Sequence, residues 1–399
     1  MAASDSDPSA AGTAIPPAAL RRLALLLGSV IALDMTMYSS VTPLLPELRD
    51  SVGLAGAQTG LLVGAYALGL LAFAIPSGWV TGRVGAKASV VAGALLLAVA
   101  SVTFGIADSA AVLILARFLQ GVASALQWAG AMTWLIGASS PTKHGVVIGT
   151  IISSAVAGSI VGPLLGVVSA ATDRALVFPA IAVVAVLLCL LLRGRERPWG
   201  GEAFSLRVVL RAVWHPWFGT LIWIVTLCAG SFGALAVIAP LRLDGLGGSA
   251  TLIGAAFFTG AVLEMAVGPI AGRVSDLRGR RLPMGAAMVT AGALLVAWYV
   301  ADALWPSVVL LAAAWPAVGL MVTPAVAGMT DFGRTHALSI AGVAGLTNFI
   351  WALGEALGSL GAGLLVGAGR EALGSAVLAA LLLATLALLR VRDDPVADT

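Results

Sequence analysis

Four ionisable side chains lie inside apolar stretches of this sequence, where a charge requires a partner or water. They are Asp34, Arg117, Glu264 and Glu355. A guanidinium cannot lose its proton in a protein, and a charge at membrane depth is costly unless it is paired or hydrated. Three acids against one base leave a surplus of two negative charges if all ionise. The acids are therefore expected to hold protons or to bind a cation, and exchange between these conditions would couple proton and cation movement.

A purely structural interpretation is open for one pair of these residues. Asp34 and Arg117 lie in the same half of the chain and could form a structural ion pair, which would not exclude proton coupling. For Glu264 and Glu355 a role in packing alone is disfavoured by the cost of burial, although Glu355 could reach the outer interface.

Aromatic and polar residues near the four charges are candidates for substrate contact, because an aromatic ring face attracts cations. The candidate substrate-binding residues are Asp34, Tyr38, Gln120, Trp128, Glu264, Asn348, Trp351 and Glu355. For any one aromatic residue, packing against lipid or core is the more common role. The candidates for proton coupling are Asp34, Arg117, Glu264 and Glu355.

The elements that position these residues must be membrane-spanning helices. Hydrophobic residues make up 60% of the 399 positions and charged residues only 10%. Apolar runs of nearly the ~20 residues needed to cross a bilayer recur along the whole length, which excludes an ordinary soluble domain. The net charge of +3 gives no reason to expect nucleic-acid binding. Cys189 and Cys228 fall inside apolar runs and are predicted to be buried thiols.

The sequence gives no indication of catalysis. It contains no nucleophile–base pair, metal-ligand cluster or phosphate-binding loop, so neither enzyme activity nor a metal or cofactor is expected.

Twelve membrane spans are predicted, which makes the fold an all-α membrane protein. The predicted spans are 22–45, 59–78, 88–107, 110–136, 145–171, 175–192, 217–240, 251–272, 282–300, 305–326, 337–366 and 372–389.

The distribution of basic residues predicts the orientation. Of the 22 basic residues, seventeen fall on the side of the N-terminus, four in the opposite loops, and Arg117 within a span. The positive-inside rule then places both termini in the cytoplasm. Heavy use of Ala, Gly, Leu and Arg is typical of a GC-rich genome, and we expect a multi-pass protein of a bacterial plasma membrane.

An internal repeat at an offset of 194 residues divides the chain into two halves. Its matching pairs are Gly60 with Gly254, Gly78 with Gly272, Gly85 with Gly279, and Lys87 with Arg281. The predicted organisation is a disordered tail (1–20), a six-helix half (21–192), a cytoplasmic linker (193–216), a second six-helix half (217–390) and a C-terminal tail (391–399).

The loop after the second span resembles a signature of the major facilitator superfamily. Gly78, Arg83, Gly85 and Lys87 match its pattern of Gly, three residues, Asp-Arg, one residue, Gly and basic residues. Gly82 stands where Asp is usual. Arg83 and Lys87 could belong to the ion-pair network, or latch, that this resemblance implies. They could also simply follow the positive-inside rule.

The corresponding loop of the second half keeps the acid. It contains Asp276, Arg278, Gly279 and Arg280, with Leu277 where Arg is usual. The resemblance implies an ion-pair latch that helps to hold the outward-facing state, and Asp276 would provide its only carboxylate.

Two other spans resemble parts of this superfamily, one a signature found in many of its members and the other the first helix of its drug:proton antiporters. Arg117, Gln120 and Gly121 match an Arg-x-x-Gln-Gly signature, in which the arginine is implied to take part in proton coupling. Asp34 lies ahead of a pair of prolines, as does an acid in the first helix of these antiporters and of vesicular monoamine transporters.

The fifth span resembles the antiporter signature of the drug exporters. Gly149, Gly158, Gly162, Pro163 and Gly166 keep its spacing, and only the final Gly is missing. The last three of these glycines are four residues apart, so they share one helix face and permit close packing. Pro163 removes a backbone donor, which favours a bend. Both features would suit the interface between two halves that rock against each other.

These resemblances imply a monomeric, proton-coupled exporter of lipophilic, cationic small molecules that works by alternating access in the bilayer. A transporter of the same fold for one metabolite or neutral antibiotic stays open, since the sequence does not specify the substrate. A receptor or scaffold without transport activity is the third hypothesis.

Overall fold

A computed structural model describes residues 16–139, 144–192, 211–336 and 340–391. Most of the predicted tails and residues 193–210 of the predicted linker lie outside these ranges. The helices are α1 (Pro17–Ser39), α2 (Val41–Val52), α3 (Gly56–Val84), α4 (Ala86–Ile106), α5 (Ala110–Gly137), α6 (His144–Ala171), α7 (Arg174–Leu191), α8 (Pro216–Gly245), α9 (Ala250–Arg278), α10 (Arg281–Val300), α11 (Leu304–Gly319), α12 (Val322–Thr335), α13 (Ile340–Gly367) and α14 (Glu371–Val391).

The prediction of an all-α membrane protein is confirmed. Over the described ranges, ten spans, one of them α11 together with α12, are long and apolar enough to cross a membrane. The α1–α2 pair, bent by 41°, makes an eleventh. The shorter apolar helix Leu373–Leu389 coincides with the twelfth predicted span.

The first span is broken at Ser40, between α1 and α2. Pro43 has no backbone N–H, so it cannot continue the α-helical hydrogen bonding through the break. The Ser40 hydroxyl instead donates to the Met37 carbonyl at 2.9 Å. The break leaves backbone carbonyls near the middle of the first span available to side chains of other helices.

The two halves share one backbone plan at the offset found in the sequence. Helix α3 runs from residue 56 to 84 and α9 from 250 to 278, so both ends keep the offset of 194. The glycines that flank these helices match as well: Gly53 and Gly247 have φ of 65° and 86°, and Gly85 and Gly279 have φ of 88° and 78°. Glycine is favoured at these four turns because other residues are strained at positive φ.

The halves contact each other closely on the predicted outer side. Helix α3 of the first half meets α13 of the second, where a Cβ at Gly60 would overlap the backbone of Ser359 and Gly363. Helix α6 meets α9, where a Cβ at Gly254 would overlap the Val167 side chain. These contacts close the predicted outer end of the interface.

The predicted inner ends of the same helices lack such contacts. A Cβ at Gly78 of α3, Gly149 of α6 or Gly345 of α13 would meet no atom within 4 Å. The close glycine contacts between the halves thus lie at the predicted outer end, whereas these three inner positions face open space.

Candidate functional site

Asp34 lies fully buried on α1, among hydrogen-bond donors from two other helices of the first half. Its Oδ2 accepts from the Tyr66 hydroxyl at 3.1 Å and from the Ser124 hydroxyl at 2.6 Å. Trp128 also faces this carboxyl group as a donor. Oδ1 has no hydrogen-bond partner among the described residues, so this oxygen can take a proton or contact a cation.

Arg117 lies buried on α5 and contacts the break in the first span. Its Nη1 donates to the Met37 carbonyl at 3.2 Å and to Gln120 Oε1 at 2.8 Å, and its Nη2 donates to the Tyr38 carbonyl at 3.2 Å. A cation stabilises the C-terminal end of a helix, where unpaired carbonyls carry partial negative charge. The possible Asp34–Arg117 ion pair is not formed among the described residues of this structure.

Tyr66 connects the acid and the base. Its hydroxyl donates to Asp34, while its ring lies 5.1 Å from the Arg117 guanidinium carbon. The ring of Tyr38 packs against that of Tyr66 with centroids 5.0 Å apart. Tyr66 therefore contacts both residues, and a change of charge at Asp34 alters the electrostatic environment of Arg117.

Glu355 brings a second acid to this region from the other half of the molecule. It lies on α13 and is only 2% exposed. Tyr38 and Trp351 face its carboxyl group as hydrogen-bond donors, and Arg117 is near enough to interact with its charge. Its Oε1 has no hydrogen-bond partner among the described residues. Tyr38 thus stands between the two halves.

Glu264 lies in a different environment. It is partly exposed on α9, its side chain packs against Gly319, and Trp315 of α11 faces it as a donor. The Cys228 thiol of α8 is close to it. All of these partners belong to the second half.

The structure therefore brings most of the predicted site residues together. We call the following set the central cluster: Asp34, Tyr38, Tyr66, Arg117, Gln120, Ser124, Trp128, Trp351 and Glu355. Glu264 lies apart from it with its own partners, and Asn348 is exposed two turns before Glu355 on α13. Tyr66 and Ser124 were not among the sequence candidates, because a single Tyr or Ser in an apolar helix gives no signal of its own.

The glycine motif of α6 packs inside the first half and not at the interface between halves. A Cβ at Gly158 would overlap the Ala32 backbone, and one at Gly162 would overlap Ser39. Gly166 is equally close to the Ser40 carbonyl. The expected close packing is present, but its partner is the broken first span.

Pro163 has a local effect that fits this packing. Because it lacks a backbone donor, the Ser159 carbonyl is left free within α6. The Ser39 hydroxyl donates to that carbonyl at 3.1 Å, and the Thr36 hydroxyl donates to the Gly158 carbonyl at 3.1 Å. These bonds tie α6 to the segment of the first span that contacts Arg117.

The latch of the second half contains an acid that the motif did not reveal. Arg280 donates to Asp331 Oδ2 from Nε at 3.1 Å and from Nη2 at 2.8 Å, to Asp276 at 2.5 Å and to Ser275 at 2.9 Å. Partial burial by itself lowers the pKa of Arg280, but the bonds to Asp276 and Asp331 outweigh it and raise that pKa.

The first half has a different arrangement at the equivalent loop. There Gly82 stands in place of the acid, and the Arg83 guanidinium lies 3.6 Å from the Trp79 ring centroid.

Two helical halves with a buried polar cluster between them form the architecture of a secondary transporter. The sequence model of the Major Facilitator Superfamily matches residues 27–359, and the chain belongs to this family of membrane transporters.

Individual relatives match shorter regions. The MFS-type transporter ppzB of Metarhizium majus (strain ARSEF 297) is 30% identical over 39% of this chain and 35% of its own length. The quinolone resistance protein NorA of Staphylococcus aureus is 29% identical over 38% of this chain and 40% of its own length. The match to the ppzB transporter thus spans only about a third of the length of that protein.

Solved structures share the fold over nearly the whole chain. A bacterial homolog of the human lysosomal transporter Spinster, in an inward-facing and unoccupied conformation, has a TM-score of 0.78. It is 16% identical, and the match covers 94% of this chain and 97% of that one.

Proposed function

We propose that this transporter exports lipophilic, cationic small molecules in exchange for protons, with Asp34 and Glu355 as the groups that bind either a proton or the substrate. Arg117 and Tyr38 link the two acids. The observation that supports this most directly is the meeting of two buried acids, one from each half, around a single guanidinium.

Competition at a carboxylate provides the coupling. An ionised carboxylate attracts a cation, and protonation removes that attraction. Each acid has one oxygen without a hydrogen-bond partner among the described residues, which gives a cation or a proton a place to bind. Aromatic rings of Tyr38 and Trp351 beside Glu355 offer faces that favour an organic cation over a hydrated metal ion.

Alternating access follows from the position of the cluster between the halves. In this structure the halves are in contact on the predicted outer side, so the cluster would be reached from the predicted cytoplasmic side. Because Glu355 belongs to the second half and Asp34 to the first, rocking of the halves would change the distance between the two acids. Proton uptake in the outward-facing state would then release the substrate outside.

The direction of transport rests on resemblance. The glycine spacing of α6 resembles that of exporters, and the aligned part of NorA comes from a protein named for quinolone resistance.

The decisive experiment compares three neutralised acids in proteoliposomes with an imposed pH gradient. Uptake of ethidium, a lipophilic cation, is measured for Asp34→Asn, Glu355→Gln and Glu264→Gln. We expect gradient-driven uptake to be lost in the first two, whereas Glu264→Gln reports whether the separate acid of the second half is also required. Undiminished gradient-driven uptake in both Asp34→Asn and Glu355→Gln would reject the proposal, whatever the result for Glu264→Gln.

A further inference from the structure

We propose that Glu264 forms a second cation-binding subsite, so that the protein takes lipophilic dications, molecules in which an apolar bridge joins two cationic rings. One ring would bind at Glu355 and Trp351 and the other at Glu264 and Trp315, with the bridge along Phe232. The substrate class is thereby narrowed from cations to dications, which rests on the proposed function only in that Glu355 receives a cation.

Each acid of the second half that lies within the membrane has a tryptophan beside it. Trp315 of α11 faces the Glu264 carboxyl group as a hydrogen-bond donor, and Trp351, one turn before Glu355 on α13, faces that carboxyl group in the same way. Both tryptophan side chains are partly exposed, so part of each ring is accessible to a ligand. A carboxylate and an aromatic face at one place attract an organic cation through charge and through the ring quadrupole.

A third ring joins the two acid–tryptophan pairs. The centroid of the Phe232 ring of α8 lies 4.5 Å from that of Trp315 and 5.9 Å from that of Trp351. Phe257 of α9 packs edge-on against Trp315 at 5.0 Å. Both phenylalanines are buried, so they hold the tryptophans in place. An apolar surface therefore runs between the two acids, and it suits the bridge of a dication.

The ionisable groups within the membrane have room for two positive charges. Among the described residues, Glu264 forms no ion pair with a basic side chain. Arg117 is the single base of the central cluster and stands against Asp34 and Glu355. With all three acids ionised, two negative charges are left unbalanced. A dication that spans both subsites balances them, whereas a monocation leaves one charge at membrane depth uncompensated, which is costly.

The two acids lie at a similar depth, and each offers a carboxyl group to a ligand. Glu264 is the fifteenth of the 29 residues of α9, and Glu355 is the sixteenth of the 28 residues of α13. Glu355 is only 2% exposed, yet its Oε1 has no hydrogen-bond partner among the described residues. Glu264 is partly exposed. A ligand that contacts both acids would therefore lie roughly parallel to the membrane plane.

The test measures binding of two ligands to the purified full-length protein by isothermal titration calorimetry, without a pH gradient. Dequalinium is a dication in which an alkyl chain joins two aminoquinolinium rings, and the matched monocation keeps one ring and the whole chain. The wild-type protein should bind dequalinium at least about tenfold more tightly than the monocation, since dequalinium gains a second ion pair. Glu264→Gln should remove most of this preference.

Asp244→Asn is the matched control for charge. It removes the same charge from an exposed position at the end of α8, so the preference for dequalinium should persist. Equal affinities of the wild-type protein for the two ligands would overturn the proposal, and so would an intact preference in a folded Glu264→Gln protein.

A second variant moves the acid without removing its charge. A Cβ at Gly319 of α11 would overlap the Glu264 carboxyl group, so Gly319→Ala should displace the acid and lower the preference for dequalinium. Gly268→Ala, one turn after Glu264 on α9, is its control, because a Cβ there would meet no atom within 4 Å and the preference should persist. Equal effects of the two alanines would count against the second subsite.

These binding measurements separate the second subsite from proton exchange. If Asp34→Asn and Glu355→Gln keep gradient-driven ethidium uptake, proton exchange at those acids is rejected, while a preference for dequalinium that depends on Glu264 still supports the second subsite. If ethidium uptake behaves as proposed but dequalinium binds no more tightly than the monocation, the proposed function stands and the second subsite is overturned.

Discussion

At the scale of single residues, Arg117 has two tasks that are difficult to separate. It donates to two backbone carbonyls at the break of the first span, and it lies over the ring of Tyr66, which bonds Asp34. The guanidinium therefore stabilises the backbone shape and sets the electrostatic surroundings of the acid. Its side chain needs a fixed positive charge and several donors at once, which only arginine provides.

Replacing Arg117 with Ala should uncouple transport from the proton gradient. Without the guanidinium, the fixed positive charge that interacts with Asp34 and Glu355 is lost, and with it the electrostatic link between the two acids. We expect ethidium to bind, as measured by fluorescence, but gradient-driven uptake into proteoliposomes to fall by at least about tenfold, equivalent to ~1.4 kcal/mol in the barrier of the slowest step.

Arg117→Lys is the matched control, because it keeps the charge and loses the planar set of donors. It should retain part of the uptake but lower thermal stability, since the carbonyls of Met37 and Tyr38 would share a single ammonium group. Wild-type gradient-driven uptake in a folded Arg117→Ala protein would contradict the assigned role.

The sequence predicted the charged members of the central cluster and all of its uncharged members except two. Asp34, Arg117 and Glu355 were detectable because charge is rare in an apolar run and costly there. Tyr66 and Ser124 were not detectable, since their importance depends on which face of α3 and α5 turns towards α1. That face is fixed by packing between helices distant in sequence.

At the scale of helices, α6 packs closely against the broken first span. Three glycines let the backbones approach, and two hydroxyl groups on α1 bond carbonyls of α6. The spacing of the glycines predicted close packing on one face. It could not predict the partner helix, because a glycine face contains no information about what it meets.

Two alanine substitutions on α6 should have opposite effects on stability. At Gly158 a Cβ would overlap the Ala32 backbone, which cannot yield, so Gly158→Ala should lower stability by ~1–3 kcal/mol. At Gly149 a Cβ would meet no atom within 4 Å, so Gly149→Ala should raise stability by ~0.5–1 kcal/mol through helix propensity alone. Thermal unfolding in one detergent measures both, and equal shifts would contradict the packing.

The two acids of the latch should differ in importance. Asp331 accepts two bonds from Arg280 and its side chain is 24% exposed, whereas that of Asp276 is 70% exposed. Asp331→Asn should therefore lower stability by ~1.5 kcal/mol and Asp276→Asn by less than ~1 kcal/mol. Denaturant unfolding of both variants tests the order, and a larger effect at Asp276 would contradict it.

One acid of the latch lies too far along the chain for the loop motif to identify it. The loop motif contains Asp276, and the sequence therefore assigned the carboxylate role to it alone. Asp331 lies 51 residues after Arg280, at the end of α12, and no local spacing connects the two. Only the packing of α9 against α12 brings them together.

At the scale of the whole molecule, the closed outer end of the interface agrees with one of the two end states of the alternating-access cycle proposed above. The internal repeat predicted that α3 and α9 are equivalent, and their boundaries and flanking glycines agree. The sequence could not show which end of the interface is closed. That choice depends on a few contacts between small residues, and two arrangements of the same halves differ little in energy.

Blocking the close contact at Gly60 should shift the molecule towards the opposite state. A valine there would overlap the backbone of Ser359 and Gly363, so the outer-closed arrangement would be disfavoured. Spin labels on cysteines introduced at Arg83 and Gly345, at the inner ends of α3 and α13, report the separation of the halves.

We expect Gly60→Val to shorten the distance between these labels, because the halves must close on the inner side when they part on the outer side. Gly78→Val, on the same helix, is the control, since a Cβ there would meet no atom within 4 Å and the distance should not change. Transport should fall in Gly60→Val alone, because a carrier held in one state cannot complete its cycle. An unchanged distance in a folded Gly60→Val protein would mean that the contact of α3 with α13 does not control the equilibrium between the two states.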